Sequence, residues 1–509
     1  MKLLHNSVWN TGGFLAASLV AFFSLPIIVR ELGVVEFGAF GIITAMVTPL
    51  TLSSLGMGDA AVKYVAEHWV RGETAIAAKY FQTTLTMALL IGVAGALLLG
   101  LVGPILSNKL FGFETLPAGE VTASFWLVGS GWLFTQASSV FSGVPKALQR
   151  YEFVAGASTL LSLAGSLFGI LFVVLGWGLV GYVGATILAA FIVMLFNIAV
   201  VWRLAGVEFL LPRLDPYRLS HCMHFGVWQT VGNIGGLAAL QSERYLLAAF
   251  LSPSAVGVYN VAWRLEQVAY VVVAKLAEVL FPAYSSLSDA PLGQRAGMVL
   301  RSSWILTSLS VCALAPLVVL ASPALRIWMG EEIALEGTPV LQALALGGIL
   351  GSATNSSYYY LLGMGKTKWT ALVSLATGAA TIVVALAVLP KYGLVAAGWS
   401  GVAAMLVQIV AVSSMLRVVF GRHCSPGAIF VFLYSPVVIG LATIFMFWIV
   451  WVPACKTWLD LIACYGVVAA STALAIFLSN FILPGRDERT KDIRRICVAM
   501  LPQRFNSIR

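Results

Sequence analysis

Blocks of about 20 apolar residues, separated by short polar breaks, recur along the whole 509-residue chain. A helix of that length spans the ~30 Å hydrocarbon core of a bilayer. A large soluble enzyme with a long buried core would also need apolar segments, but it would need charge to cover its surface. Only 10% of the residues are charged, against about 25% in soluble domains. Inside a bilayer every backbone polar group must be hydrogen-bonded within the protein, and continuous apolar runs of about 20 residues meet that need as helices. The fold class that follows is all-α, integral to a membrane, with about 14 transmembrane helices.

The apolar runs place these helices near 8–29, 37–58, 81–106, 121–143, 154–175, 180–202, 222–250, 259–283, 303–322, 337–361, 370–389, 394–416, 427–451 and 458–482. The block from Thr11 to Val29 has the length of a signal peptide, but no A-x-A cleavage site follows it. It is therefore expected to be an uncleaved first helix. Pro26, Pro49 and Pro316 fall inside spans, which membrane helices tolerate.

Lys and Arg sort unevenly between the two sets of loops. One set, with the tail after Pro484, holds 22 of them and the other holds 5. The positive-inside rule then predicts both termini in the cytoplasm. The net charge of +9 is thus a topology signal spread over many segments, and no nucleic-acid partner is expected. The outer loops, around 107–120 and 323–336, are short. Any function must lie among the helices. Cys222, Cys312, Cys424, Cys455, Cys464 and Cys497 form no metal-binding spacing and read as free thiols or small apolar residues.

The chain also repeats itself. Val8-Trp9 matches Val227-Trp228, and Leu32, Gly38 and Phe40 match Leu251, Gly257 and Tyr259, all 219 residues apart. Gly178-Leu179-Val180 matches Gly393-Leu394-Val395, 215 apart. The offset corresponds to six spans, an even number, so both copies have the same orientation and an axis along the membrane normal relates them. The expected organisation is an N-lobe over 1–215, a C-lobe over 216–424, and two further helices with a basic tail over 425–509. Two lobes facing a central cleft suit alternating access. Gly165/Gly169, Gly232/Gly236 and Gly347/Gly351 have the spacing of close helix packing.

Charges inside spans concentrate in helices 7 and 8. A charge at mid-bilayer costs on the order of 3 kcal/mol or more, so such groups face a bundle interior or a wet cavity. Arg264 and Lys275 are 11 residues apart and point within about 20° of each other on a helix. Glu278 lies three residues beyond Lys275 and can pair with it. On helix 7, Gln229, Asn233 and Arg244 share one stripe. Arg244, Arg264, Lys275, Asn233 and Gln229 are the candidate substrate-binding residues. Glu243, Glu266 and Glu278 are candidates for charge pairing or coupling. The same three cations and three anions could instead form a salt-bridge set locking the two helices together, and both readings stay open at this stage.

Gly365-Lys366-Thr367 ends like a phosphate-binding loop, but Tyr360 stands where that loop needs a Gly. No cofactor and no nucleotide are expected. The energy would come from an ion gradient, the membrane potential or the substrate gradient, and the protein would be a transporter rather than an enzyme.

Three stretches resemble the polysaccharide transporters of the multidrug/oligosaccharidyl-lipid/polysaccharide exporter superfamily, which include O-antigen flippases. The first runs from Asn10 to Tyr64 and includes Pro26 to Gly33, Glu36-Phe37-Gly38 and Leu55-Gly56-Met57-Gly58. The second holds Ser242-Glu243-Arg244-Tyr245, Ala255-Val256-Gly257-Val258-Tyr259 and Leu280-Phe281-Pro282. The third is Leu362-Gly363-Met364-Gly365-Lys366. Many relatives carry Asp where this chain has Glu243, which keeps the charge. The resemblance implies a flippase that moves an undecaprenyl-diphosphate-linked oligosaccharide, an O-antigen or exopolysaccharide unit, to the outer leaflet of the bacterial cytoplasmic membrane. Its partners would be that lipid-linked sugar, membrane lipids and other polysaccharide assembly proteins. Arg and Lys can hold a diphosphate. A drug or cation antiporter of the same superfamily would favour acidic or aromatic groups in the cleft. A polysaccharide polymerase or ligase would need a large outer loop. A non-transporting scaffold is the remaining alternative.

Overall fold

The computed structural model describes residues 19–479, except 55, 112, 114–115, 224–241, 279, 281–283, 285–286, 288–289, 365 and 451–454. The described chain is helical, without strands. Ten described helices are long and apolar enough to cross a membrane. Ala118–Phe141 and Pro253–Glu278 are long enough as well but more polar. Half of the first span expected from sequence and most of the seventh fall on 1–18 and 224–241, outside the described residues, while 19–32 is helical. The all-helical membrane class therefore stands, and the described helices do not fix the count at 14.

The chain divides into two compact units, Met1–Asn260 and Val261–Arg509, with Pro253–Glu278 running from the first into the second. In the first unit, Thr74–Leu110 and Ala118–Phe141 interdigitate glycine against bulky side chains. A Cβ on Gly92 would strike Leu133, one on Gly95 would strike Trp132, and one on Gly103 would strike Phe125. Lipid supplies no hydrophobic drive between helices, so such close approach is what holds them together. The opposite face of Thr74–Leu110 exposes Leu90, Leu97, Leu101 and Ile105, as a lipid-facing surface must.

The second expected span, 37–58, is two elements. Val34–Val47 is extended by a short turn, Leu50–Ser53, and Met57–Val70 is a separate amphipathic helix. Pro49 precedes the short turn, and Gly56, at φ 59°, takes the left-handed conformation that redirects the chain. Met57–Val70 escaped the sequence reading because its apolar residues occupy one stripe rather than a continuous run. Likewise 323–336 is not a loop: Ala321–Met329 and the start of Glu331–Gly363 occupy it.

In the second unit, Leu292–Val319 is the most deeply packed span, two-thirds buried. Glu331–Gly363, Leu394–Phe420 and Trp458–Ser479 belong to the same unit. Of the three Gly-x-x-x-Gly pairs, Gly351 lies against Met405 and Gly169 against Tyr182, consistent with packing. Gly232 and Gly236 lie outside the described residues. Cys222, Cys312, Cys424, Cys455 and Cys464 are free thiols.

Candidate functional site

The stretch that carries charge in helices 7 and 8 falls in two places, one in each unit. In the first unit, 242–250 is helical and turns directly into Pro253–Glu278. The Tyr259 hydroxyl donates to Glu243, which is buried. Arg244 Nε donates to Asn260 Oδ1 at 2.9 Å. Tyr245 donates to the carbonyl of Ala45 at 2.5 Å, tying 242–250 to Val34–Val47. Three consecutive residues thus each secure a different contact. The Tyr259 hydroxyl supplies the donor that the buried Glu243 carboxylate needs, since burying it without one would leave a costly orphan acceptor.

The same neighbourhood explains the glycines matched by the repeat. A Cβ on Gly38 would sit 1.7 Å from the Pro253 carbonyl oxygen, and one on Gly257 would sit 2.5 Å from the Val34 carbonyl oxygen. Val34 and Pro253 are also 219 residues apart. Residue 38 meets 253 while its counterpart 257 meets 34. The two close approaches are thus reciprocal between the sequence-matched positions.

In the second unit, Glu266 is 5% exposed. Gln267 Nε2 donates to it at 2.9 Å, and Gly348 leaves room for its carboxylate, since a Cβ there would be 2.9 Å from Oε1. Among the described residues Glu266 has no ion-pair partner. One turn along, the Tyr270 hydroxyl accepts from Asn355 Nδ2 at 2.5 Å. Thr354 accepts from Gln408 Nε2 at 2.6 Å. The hydroxyls of Ser356, Tyr284 and Ser302 lie within 2.5–2.8 Å of one another. Thr354, Asn355 and Ser356 therefore reach toward Leu394–Phe420, Pro253–Glu278 and Leu292–Val319 in turn. These bonds form a partly buried polar band within an otherwise apolar bundle.

Arg264 is exposed. Lys275 and Glu278 lie on Pro253–Glu278, and their side chains are outside the described residues, as are Gln229 and Asn233 altogether. The structure thus brings Glu243 and Arg244 together in one place and sets Glu266 in another. Sequence reasoning passed over Tyr270, Asn355 and Gln408, which are uncharged. The signal available was the polar run Ser352 to Ser357 inside an apolar span.

The profile of a family described as Polysaccharide biosynthesis protein matches residues 3–288, more than half of the chain. The chain belongs to this family. It is 22% identical over 432 residues to a Shigella flexneri protein named as an O-antigen transporter, covering 84% of this chain and 99% of that one. It is 23% identical over 289 residues to a Haloferax volcanii protein named as a flippase, AglR, covering 57% and 56% of the two chains. Among solved structures, the lipid II flippase MurJ superposes with a TM-score of 0.72 at 12% identity, covering 93% of this chain and 100% of that one. A multidrug resistance transporter of the MATE family, of the MOP superfamily, superposes at 0.68 with 16% identity, covering 80% and 95%. The polysaccharide family member thus has the MOP fold and is a multi-pass membrane protein.

Proposed function

We propose that the protein is a flippase that carries an undecaprenyl-diphosphate-linked oligosaccharide, an O-antigen or exopolysaccharide unit, from the inner to the outer leaflet of the cytoplasmic membrane. The observation that carries this reading is the match to the Shigella flexneri protein along 99% of that protein's length. The family match and the MurJ-like fold support it. Drug export is the reading that the MATE likeness would favour, but the named sequence relatives stand on the side of sugar and lipid transport. The direct test is translocation of a lipid-linked oligosaccharide in vesicles.

Transport would proceed by alternating access of two repeat lobes, 1–215 and 216–424, with 425–509 added. The reciprocal Gly38–Pro253 and Gly257–Val34 contacts support a two-fold relation between them. Both termini would be cytoplasmic, which the 22-to-5 charge bias supports. Reporter fusions after Arg422 and after Arg495 should both read cytoplasmic, and an external tail would contradict this topology. No cofactor or nucleotide takes part. Glu266, buried beside the polar band, would couple transport to an ion gradient by gaining and losing a proton or a cation.

Arg264 and Lys275 would contact the lipid diphosphate, with Glu278 holding Lys275 extended when the site is empty. Lys275→Ala is then expected to abolish transport while folded protein persists, and Lys275→Arg to retain part of it. A purely structural pair gives another pattern: Lys275→Ala lowers the melting temperature and Lys275→Ala/Glu278→Ala restores it. Normal transport by the double variant would remove Lys275 from the substrate site.

A further inference from the structure

The first unit contains a cavity of about 520 Å³ between the first turns of Thr74–Leu110 and the chain that follows Gly178–Ala205. Lys79, Gln82 and Thr83 line one wall, and Arg213, Leu214 and Asp215 line the other. The walls are fixed by the protein's own bonds. Gln82 Nε2 donates to the Glu208 carbonyl at 2.6 Å, and the Asp215 amide donates to Thr83 Oγ1 at 3.3 Å. The Arg218 guanidinium pairs with Asp215 and lies 5.4 Å over the Tyr80 ring.

The charges are not all consumed by these bonds. Burial alone would raise the Asp215 carboxyl, but the amide and guanidinium of Arg218 outweigh it and hold it below the usual carboxylate range. That acid is committed to Arg218. Lys79 and Arg213 are exposed and make no ion pair among the described residues. They face the cavity with Glu208 as the remaining acid in its wall, which leaves the site net cationic.

The depth of this cavity follows from helix geometry. Lys79 and Lys109 stand at opposite ends of one helix, 30 residues apart. At 1.5 Å per residue that is ~45 Å, the thickness of a bilayer including its headgroups. Trp177 and Trp202, exposed at the two ends of Gly178–Ala205, mark the interfaces in the same way. Lys79 and Trp202 therefore lie at headgroup level. The chain beside them exposes Val207, Leu211, Leu214 and Tyr217, an apolar rim suited to the adjoining acyl region.

We propose that this cavity binds the phosphodiester headgroup of an anionic phospholipid, with Lys79 and Arg213 on the phosphate oxygens and Leu211 and Leu214 against the upper acyl chains. The inference needs only a membrane surface at this level and is independent of what the protein transports.

The test is native mass spectrometry of the purified full chain titrated with phosphatidylglycerol or phosphatidylcholine. One saturable phosphatidylglycerol should bind at least tenfold more tightly than phosphatidylcholine. Lys79→Ala/Arg213→Ala should lose that preference, Lys79→Arg/Arg213→Lys should keep it, and Lys366→Ala/Lys368→Ala should behave as the parent. Because both side chains are exposed, the melting temperature should hold in every variant. Equal affinity for the two lipids, or an unchanged preference in the alanine variant, would overturn the proposal. Displacement of the lipid by millimolar inorganic phosphate or glycerol phosphate would overturn the lipid assignment in favour of a soluble phosphate ligand.

Discussion

Glu266→Gln is expected to leave the protein folded and to reduce transport of a lipid-linked oligosaccharide at least tenfold. Glu266 is buried against Gly348 and Gln267, with no ion-pair partner among the described residues. In the proposed mechanism it is the acid that exchanges a proton or a cation as the lobes alternate. The amide matches the shape of the protonated acid but cannot change charge. The variant should therefore be at least as stable as the parent, while its residual transport loses dependence on an imposed pH or sodium gradient. Normal, gradient-dependent transport by Glu266→Gln would reduce Glu266 to a packing residue.

Gly38→Ala is expected to damage the protein more than any other single methyl group added to the first unit. The new Cβ would lie 1.7 Å from the Pro253 carbonyl oxygen. That atom belongs to a helix backbone and cannot swing aside, so Val34–Val47 and the start of Pro253–Glu278 must separate. Overpacking of this kind costs about 3 kcal/mol, and the contacts of Tyr245 with Ala45 and of Gly257 with Val34 are strained with it. A drop in melting temperature and loss of transport should both be measurable. Gly119→Ala is the control, because nothing lies within 4 Å of a Cβ there. If Gly38→Ala melts like Gly119→Ala, the crossing is looser than described.

The membrane class was legible because it depends on composition and run length. Helix boundaries were less so: Met57–Val70 hides its helical period among charges, and Pro253–Glu278 starts six residues before its apolar run was read. Glu243 and Arg244 were visible as intramembrane charges. Their partners Tyr259 and Asn260, 16 residues on, depend on how two consecutive helices fold back on each other. Gly38 and Gly257 were legible as a sequence match, yet the reason for them appears only where Val34–Val47 meets the start of Pro253–Glu278. The polar band at Asn355 was missed because attention to charge passes over amides and hydroxyls, although a run from Ser352 to Ser357 is rare in lipid-facing helices.

The flippase reading itself rests most directly on one measurement. Purified protein is reconstituted into vesicles containing an undecaprenyl-diphosphate oligosaccharide, and a membrane-impermeant glycosidase or lectin reports how much sugar reaches the opposite leaflet. With the protein present and no nucleotide added, the accessible fraction should rise well above that of empty vesicles, and an imposed ion gradient should change the rate. An accessible fraction equal to that of empty vesicles, from protein shown to be folded and inserted, would contradict the account.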